Sequence, residues 1–344
     1  WDSKPDAQER GVLSLMQFSL APGGKLTGRI RIPGDKSMSH RSIMLGAIAE
    51  GRTSVSGFLE GEDALATLSA FRAMGVEISD PQSGRLTIEG VGLRGLEAPL
   101  ETLDLGNSGT SIRLMAGLLA GQSFDTVLTG DESLLRRPMG RIINPLTQMG
   151  ASIDSREGCP PLHIQGTRCL GGIHYDLPVA SAQVKSSVLL AGLYASGRTS
   201  VTEPAPTRDH TERMLTGFGY GVSREKGVIS VAGGGVLRGT EIDIPADISS
   251  AAFFMVGASI APGSDLILEK MVAGVDEELD RVNILFSSVP FPGSEHCLKF
   301  VREETEGFVY RWEDEKLQGW LSPALRNYYP QSPPKIYLQL LPIG

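Results

Sequence analysis

The stretch IMLGAIAEGRTSVSG, Ile43 to Gly57, decides the fold. Its first half is apolar almost throughout, Gly51 interrupts it, and small polar and β-branched residues then alternate as in a strand. Glycine at that point is what a left-handed helix C-cap requires. A helix that is apolar nearly all round is a buried one. The same pattern recurs as RLMAGLLAGQSFDTVLTG (Arg113 to Gly130), VLLAGLYASGRTSVTEP (Val188 to Pro204) and FFMVGASIAPGSDLILEK (Phe253 to Lys270). The glycines that close these helices, Gly51, Gly121, Gly197 and Gly263, are 70, 76 and 66 residues apart.

Each of the first three segments leads to a second helix, expected over Asp63 to Met74, Arg141 to Met149 and His210 to Phe218. These end in Gly75, Gly150 or Gly219 and run into strands such as Val76 to Ser79. The unit reads strand, helix, strand, helix, strand, strand. Its period exceeds that of solenoid repeats, so the expected architecture is an α/β (α+β) closed assembly of duplicated units. The fourth unit does not finish. A second helix should fall near 276–292, where the chain instead reads DEELDR and then SSVPFP. Residues 276–344 hold ten of the 21 aromatic residues but only four of the 42 glycines. A divergent last domain would explain this. A foreign tail, from a frameshift, fusion or altered transcript, explains better why the break falls inside a unit and not at a linker.

Directly upstream of the opening stretch stands PGDKSMSHR, Pro33 to Arg41, behind a strand-like run from Leu26 to Ile32. A glycine turn thus feeds a helix start carrying Lys36, Ser37, Ser39 and Arg41. Helix starts carry unpaired N–H groups and a partial positive charge, which favour an anion. Arg41 lies four or five residues past Lys36 and Ser37, so it can face the same way. An ordinary N-cap with solvated cations is the competing reading, which the dipole disfavours.

LGNSGTSIR, Leu105 to Arg113, repeats the theme with the capping residues Asn107, Ser108 and Thr110 and with Gly109, where backbone can approach a ligand. SAQVKSS, Ser181 to Ser187, opens a third apolar helix, with Ser181 and Gln183 able to bond polar groups beside Ala182. Asp247-Ile248-Ser249-Ser250 opens a fourth without a cation, which reads as structural capping. Equivalent helix starts in successive units could converge on one cavity. Arg137, before Pro138 at an expected N1 position, could grip a carboxylate or phosphate with two parallel bonds or be half of a solvated arginine pair with Arg136. Arg208 precedes the His210 helix in the same way; His210 reads as a cap, a surface residue or a proton carrier.

Composition narrows the function. The chain has 344 residues, enough for about two domains. A net charge of −8 argues against nucleic-acid or anionic-membrane binding, so an anion site must be a local basic cluster. No apolar run is long enough to cross a bilayer, and no signal peptide is visible. Three cysteines without CxxC spacing suit a reducing cytoplasm and supply no metal site. There is no P-loop, no GxGxxG after a strand, no HExxH and no nucleophile elbow, so no cofactor is expected. Residues 1–15 are polar and patternless and are expected to be a disordered leader.

PGDKSMSHR, LGNSGTSIR, RRPMG, SAQVKSS and TRDHTERML, in this order and spacing, resemble the 5-enolpyruvylshikimate-3-phosphate (EPSP) synthase family over about Leu20 to Met271. The resemblance implies an inside-out α/β fold of two globes, each of three βαβαββ units, hinged about a cleft. Residues 35–245 would be one complete globe, and residues 16–34 with 246–275 part of the other. It also implies transfer of the enolpyruvyl group of phosphoenolpyruvate to the 5-hydroxyl of shikimate 3-phosphate, without metal, by a cytoplasmic monomer. By similarity Lys36 is catalytic and meets both substrates. Ser37, Arg41, Ser181, Ala182, Gln183 and Arg208 would hold shikimate 3-phosphate. Asn107, Gly109, Thr110, Arg137 and Gln183 would surround phosphoenolpyruvate, with Arg113 as support.

The family's D-E/Y-x-P turn, K-E-S/T-D-R helix and D-H-R segment, which carry proton transfer and half of the phosphoenolpyruvate grip, do not occur in this sequence. An impaired enzyme is therefore expected. The alternatives are a family remnant that binds phosphorylated anions without turnover, and a UDP-N-acetylglucosamine enolpyruvyl transferase. The latter typically has Lys-Asn where Lys36-Ser37 stands.

Overall fold

In a computed structural model, the described residues are 24–261 and 264–271, together with the backbone of five strands further on. The chain starts with β1 (Thr27–Arg31), α1 (Lys36–Ala47), β2 (Glu50–Ser56), α2 (Glu62–Ala73), β3 (Glu77–Ile78) and β4 (Leu86–Val91). The next unit is β5 (Leu103–Asp104), α3 (Gly109–Leu119), β6 (Thr126–Thr129), α4 (Gly140–Gln148), β7 (Ser152–Arg156) and β8 (Cys159–Gln165). The third is β9 (His174–Asp176), α5 (Ala182–Gly192), β10 (Arg198–Thr202), α6 (His210–Gly217), β11 (Val222–Glu225) and β12 (Val228–Ala232). After these come β13 (Glu241–Asp243), α7 (Ile248–Ile260) and β14 (Asp265–Met271).

Three four-stranded sheets share one strand order: β13-β2-β4-β3, β5-β6-β8-β7 and β9-β10-β12-β11. In each, the first pair is parallel and the other two are antiparallel. The repeat read from the sequence is thus a repeat of topology. One exchange breaks its linearity. β1 leads into α1 yet pairs in parallel with β14, while β13 leads into α7 yet pairs in parallel with β2. The exchange happens where two chain segments run side by side, with Asp35 N–H donating to Pro245 O (2.8 Å) and Asp247 N–H to Pro33 O (2.9 Å). Gly34 is required there, because a Cβ would lie 1.8 Å from Gly57 O. β14 also pairs with β19 (Lys335–Leu340), in a sheet ordered β1-β14-β19-β18-β17 that includes β17 (Leu298–Glu304) and β18 (Gly307–Trp312). β15 (Val275–Asp276) and β16 (Arg281–Val282) form a separate pair. The leader at 1–15, the glycine at 263 and most of the tail lie outside the described residues.

The second helices end alike. In α2, α4 and α6 the glycine past the end has φ of +84°, +97° and +77°. Each helix closes with two backbone bonds, for example Gly75 N–H to Arg72 O and Val76 N–H to Phe71 O, both 3.1 Å. This is the Schellman arrangement, three times over. Gly51 and Gly197 are left-handed as expected, at φ +87° and +88°. Gly121 is not: it is glycine because a Cβ would lie 2.3 Å from the Tyr194 ring, a contact from the next unit.

α1, α3 and α5 are buried, and their side chains fill a core with the inner faces of the sheets. α3 and α5 are so close that a Cβ on Gly117 would lie 2.1 Å from Ser187 O. α7 departs from the expected burial. Phe253 is 81% exposed and Val256 56%, beside partly exposed Ile248 and Phe254, so among the described residues no element covers that face.

Candidate functional site

Four helices begin in one neighbourhood. Asp35 caps α1, its carboxylate accepting Met38 N–H at 2.7 Å. Ser108 caps α3 through Ser111 N–H (3.1 Å), and Ser181 caps α5 through Val184 N–H (3.4 Å). α6 starts at His210 with no side-chain cap bond, because the Asp209 carboxylate accepts from Arg213 Nε instead (2.9 Å). Asp247 caps α7 as the sequence implied, accepting Ser249 N–H at 2.8 Å.

Side chains in the first two turns join α1, α3 and α5 in a closed triangle. His40 Nε2 of α1 lies 3.3 Å from Ser108 Oγ of α3. Gln183 Nε2 of α5 donates to Thr110 Oγ1 of α3 at 3.0 Å. Arg41 Nη2 of α1 donates to Ser186 Oγ of α5 at 2.9 Å. The starts near residues 36, 108 and 182 are therefore neighbours in space.

The cations differ in what they can offer. Lys36 is half-exposed and paired with Asp63. Arg41 lies below it, only 4% exposed, and does not share its open face. Arg41 Nε donates to Thr211 Oγ1 (2.7 Å) and Nη1 to Ser37 O (2.9 Å), so α1, α5 and α6 meet on one guanidinium. Burial lowers its pKa to about 10, against the opposing pull of Glu212 and Asp35. Arg208 is exposed two residues before α6, and its charge is felt by Arg41 and His210. His210 Nδ1 stands 4.0 Å from Asp35 Oδ1; burial lowers its pKa, with Asp35 opposing. Ser37, Ser181 and Ala182 are partly buried around the same helix starts.

On the α3 side, Arg137 reaches Asn107, whose amide donates to Asp131 at 2.7 Å. Arg113 Nη1 donates to Gln183 Oε1 (3.0 Å) and Gly109 O (3.1 Å), which makes it a support. Burial lowers its pKa, and Arg137 and Arg141 add to the effect. Gly109 is where these two arginines converge: a Cβ would lie 2.8 Å from Arg137 Nη1 and 2.9 Å from Arg113 Nη1. Pro138 is not at N1. α4 starts at Gly140, because Met139 N–H is drawn to Gly158 O (2.7 Å) and Arg137 instead closes a 3-10 turn at Leu134–Arg136.

Two buried polar clusters went unread in the sequence. His40, wholly buried, touches Thr67, Ser108 and Ser111; burial and Lys36 lower its pKa to about 4. Lys185, also wholly buried, pairs with Glu203 (3.0 Å) and Glu212 (2.7 Å). Both follow from apolar-helix positions occupied by polar residues, the one signal the sequence offered. A groove of about 850 Å³ elsewhere is lined by Asp125, Asp154 and His163. None of the candidate residues lines it, and its carboxylates would repel phosphate. Among the described residues no group of three or more His, Cys, Asp or Glu could hold a metal, and no helix is long and apolar enough to cross a membrane.

A profile of the family described as EPSP synthase (3-phosphoshikimate 1-carboxyvinyltransferase) matches residues 20–277. The 3-phosphoshikimate 1-carboxyvinyltransferase of Alkalilimnicola ehrlichii is 69% identical over 255 residues, 74% of this chain and 57% of that protein. The protein of the same name from Nitrosococcus oceani is 66% identical, with the same coverage. A solved EPSP synthase from Acinetobacter baumannii superposes with a TM-score of 0.69 at 61% identity, over 73% of this chain and 57% of that one. The chain thus spans about 57% of the length of these relatives. With the family profile matched across most of the chain and relatives 66–69% identical over 74% of it, this protein belongs to the EPSP synthase family.

Proposed function

We propose that these helix starts form the binding half of an enolpyruvyl transferase site, taking shikimate 3-phosphate and phosphoenolpyruvate. The observation that carries this reading is the closed triangle joining α1, α3 and α5 through their first two turns, with Lys36 opening α1, Arg137 against Gly109 at the start of α3, and the Arg208 charge felt at Arg41. Two phosphorylated acids need such cations and N–H dipoles. Shikimate 3-phosphate is assigned to Lys36, Ser37, Arg41, Ser181, Ala182, Gln183 and Arg208, the Arg41 guanidinium also tying the α1, α5 and α6 starts together. Phosphoenolpyruvate is assigned to Lys36, Asn107, Gly109, Thr110, Arg137 and Gln183. Lys36 is the assigned catalytic group: its ammonium, held by Asp63, would face the attacking 5-hydroxyl and stabilise charge as the tetrahedral adduct forms.

Residues 35–245 are proposed as one complete globe, since β13 closes the first sheet after the third unit. Residues 16–34 and 246–275 are assigned to the second globe, and 276–344 fall outside the family pattern. The acid–base and arginine motifs are missing from the given sequence, so turnover is expected to fall by at least 10²–10⁴-fold. The protein is proposed to act as a cytoplasmic monomer, on the family resemblance and its sparse cysteines. Calorimetry should detect shikimate 3-phosphate binding that Arg208→Ala weakens, and phosphate release from the two substrates should be slow. No binding of shikimate 3-phosphate would reject the reading, and full family turnover would reject the impairment.

A further inference from the structure

We propose that His40 is a positioning residue that sets the phosphoenolpyruvate-facing start of α3 against Lys36 on α1. The inference rests on the functional reading above. His40, Thr67, Ser108 and Ser111 are all buried, at 0–1% exposure, where α1, α2 and α3 meet. Nδ1 lies 2.9 Å from Thr67 Oγ1 and 3.0 Å from Ser111 Oγ, and Nε2 lies 3.3 Å from Ser108 Oγ. Ser108 and Ser111 hydroxyls are 2.8 Å apart.

A closed ring of donors uses the short contacts: Nε2–H donates to Ser108 Oγ, Ser108 O–H to Ser111 Oγ, Ser111 O–H to Thr67 Oγ1 (2.6 Å), and Thr67 O–H to Nδ1, around a neutral imidazole. Ser108 Oγ also accepts Ser111 N–H as the α3 cap. Inside a protein such a ring of bonds strengthens each member and fixes the parts it joins. The parts joined here are the two ends of the site. Ser108 is flanked by Asn107, Gly109 and Thr110. Thr67 stands one turn after Asp63 on α2, and the Asp63 carboxylate holds Lys36. His40 touches no open space and does no chemistry itself; it holds two ligand-facing turns in register.

His40→Gln can place an amide nitrogen near the Nε2 position and keep the bond to Ser108. His40→Asn reaches only the Nδ1 position and loses it. Amide hydrogen exchange without ligand is the first measurement. Exchange at Ser111 N–H should rise at least tenfold in His40→Asn and less than threefold in His40→Gln. The second is calorimetry with each ligand. His40→Asn should weaken phosphoenolpyruvate, titrated in the presence of shikimate 3-phosphate, about tenfold. It should leave shikimate 3-phosphate alone within twofold, and His40→Gln should recover most of the loss. Equal exchange in the two variants overturns the proposal, as does equal weakening of both ligands. If the parent protein binds neither ligand, the functional reading fails, while the exchange measurement still decides whether His40 holds the α3 cap.

Discussion

Gly109 shows how one missing methyl group is tied to the site. Its Cβ position is occupied by the ends of two guanidiniums, Arg137 and Arg113, both on flexible stems. Gly109→Ala should therefore cost little stability, under about 1 kcal/mol, since the arginines can swing away. The swing, however, takes Arg137 from Asn107. Phosphoenolpyruvate affinity is expected to drop about tenfold, or about 1.4 kcal/mol, with the urea midpoint nearly unchanged. Unchanged affinity in calorimetry would mean that Arg137 does not grip this ligand. Lys185 shows the opposite balance. It lies far enough inside that Lys185→Met leaves the Glu203 and Glu212 carboxylates buried without a cation. Breaking one side of a buried ion cluster costs about 3–5 kcal/mol, which urea unfolding would report. Adding Glu203→Gln and Glu212→Gln should restore part of it. A loss below about 1 kcal/mol in the single variant would show that these carboxylates are in effect solvated.

Among the elements, the repeat shares its flaws as well as its strengths. Thr53 of β2, Thr126 of β6 and Thr199 of β10 are buried at matching places in the three sheets, and among the described residues none of the three hydroxyls has a hydrogen-bond partner. Valine has nearly the same shape without the polar atom. Each Thr→Val change is expected to stabilise by about 1 kcal/mol, and the three together should raise the urea midpoint roughly additively. A fall in the midpoint would mean that each hydroxyl has a partner, such as a buried water. What the sequence disclosed about these elements follows from how local the cause is. A left-handed residue after a helix needs glycine whatever surrounds it, so Gly51, Gly75, Gly150, Gly197 and Gly219 were legible. Gly121 obeys a contact with Tyr194, 73 residues away, and no local pattern carries that. The start of α4 slipped past Pro138 for the same reason: a bond to Gly158 outweighed the usual placing of proline. In the site, the caps at Ser108, Ser181 and Asp247 could be read from the chain. The buried bonds of His40, Arg41 and Lys185 could not, since their partners lie up to 170 residues away.

For the molecule as a whole, the consequence of burying these groups is a dependence on pH. His40 titrates near 6.5 when unfolded and near 4 when folded, because burial and Lys36 oppose its charge. Between those values the unfolded chain binds a proton that the native protein refuses. Stability is therefore complete above pH 6.5 and is lost as pH falls towards 4, by up to about 1.4 kcal/mol per pH unit and about 3 kcal/mol in all. His210, lowered by burial in spite of Asp35, pushes in the same direction. Carboxylates also titrate here, so the absolute curve cannot isolate one histidine, but a difference can. Urea unfolding of the parent and of His40→Gln, measured from pH 7.5 to 4, should diverge in slope. The variant's lower baseline at neutral pH is to be set aside, because it reports lost hydrogen bonds and not a proton. The parent curve should fall more steeply below pH 6.5, and the two should approach each other towards pH 4. Parallel curves would mean that His40 takes its proton as readily in the native fold as in the unfolded chain.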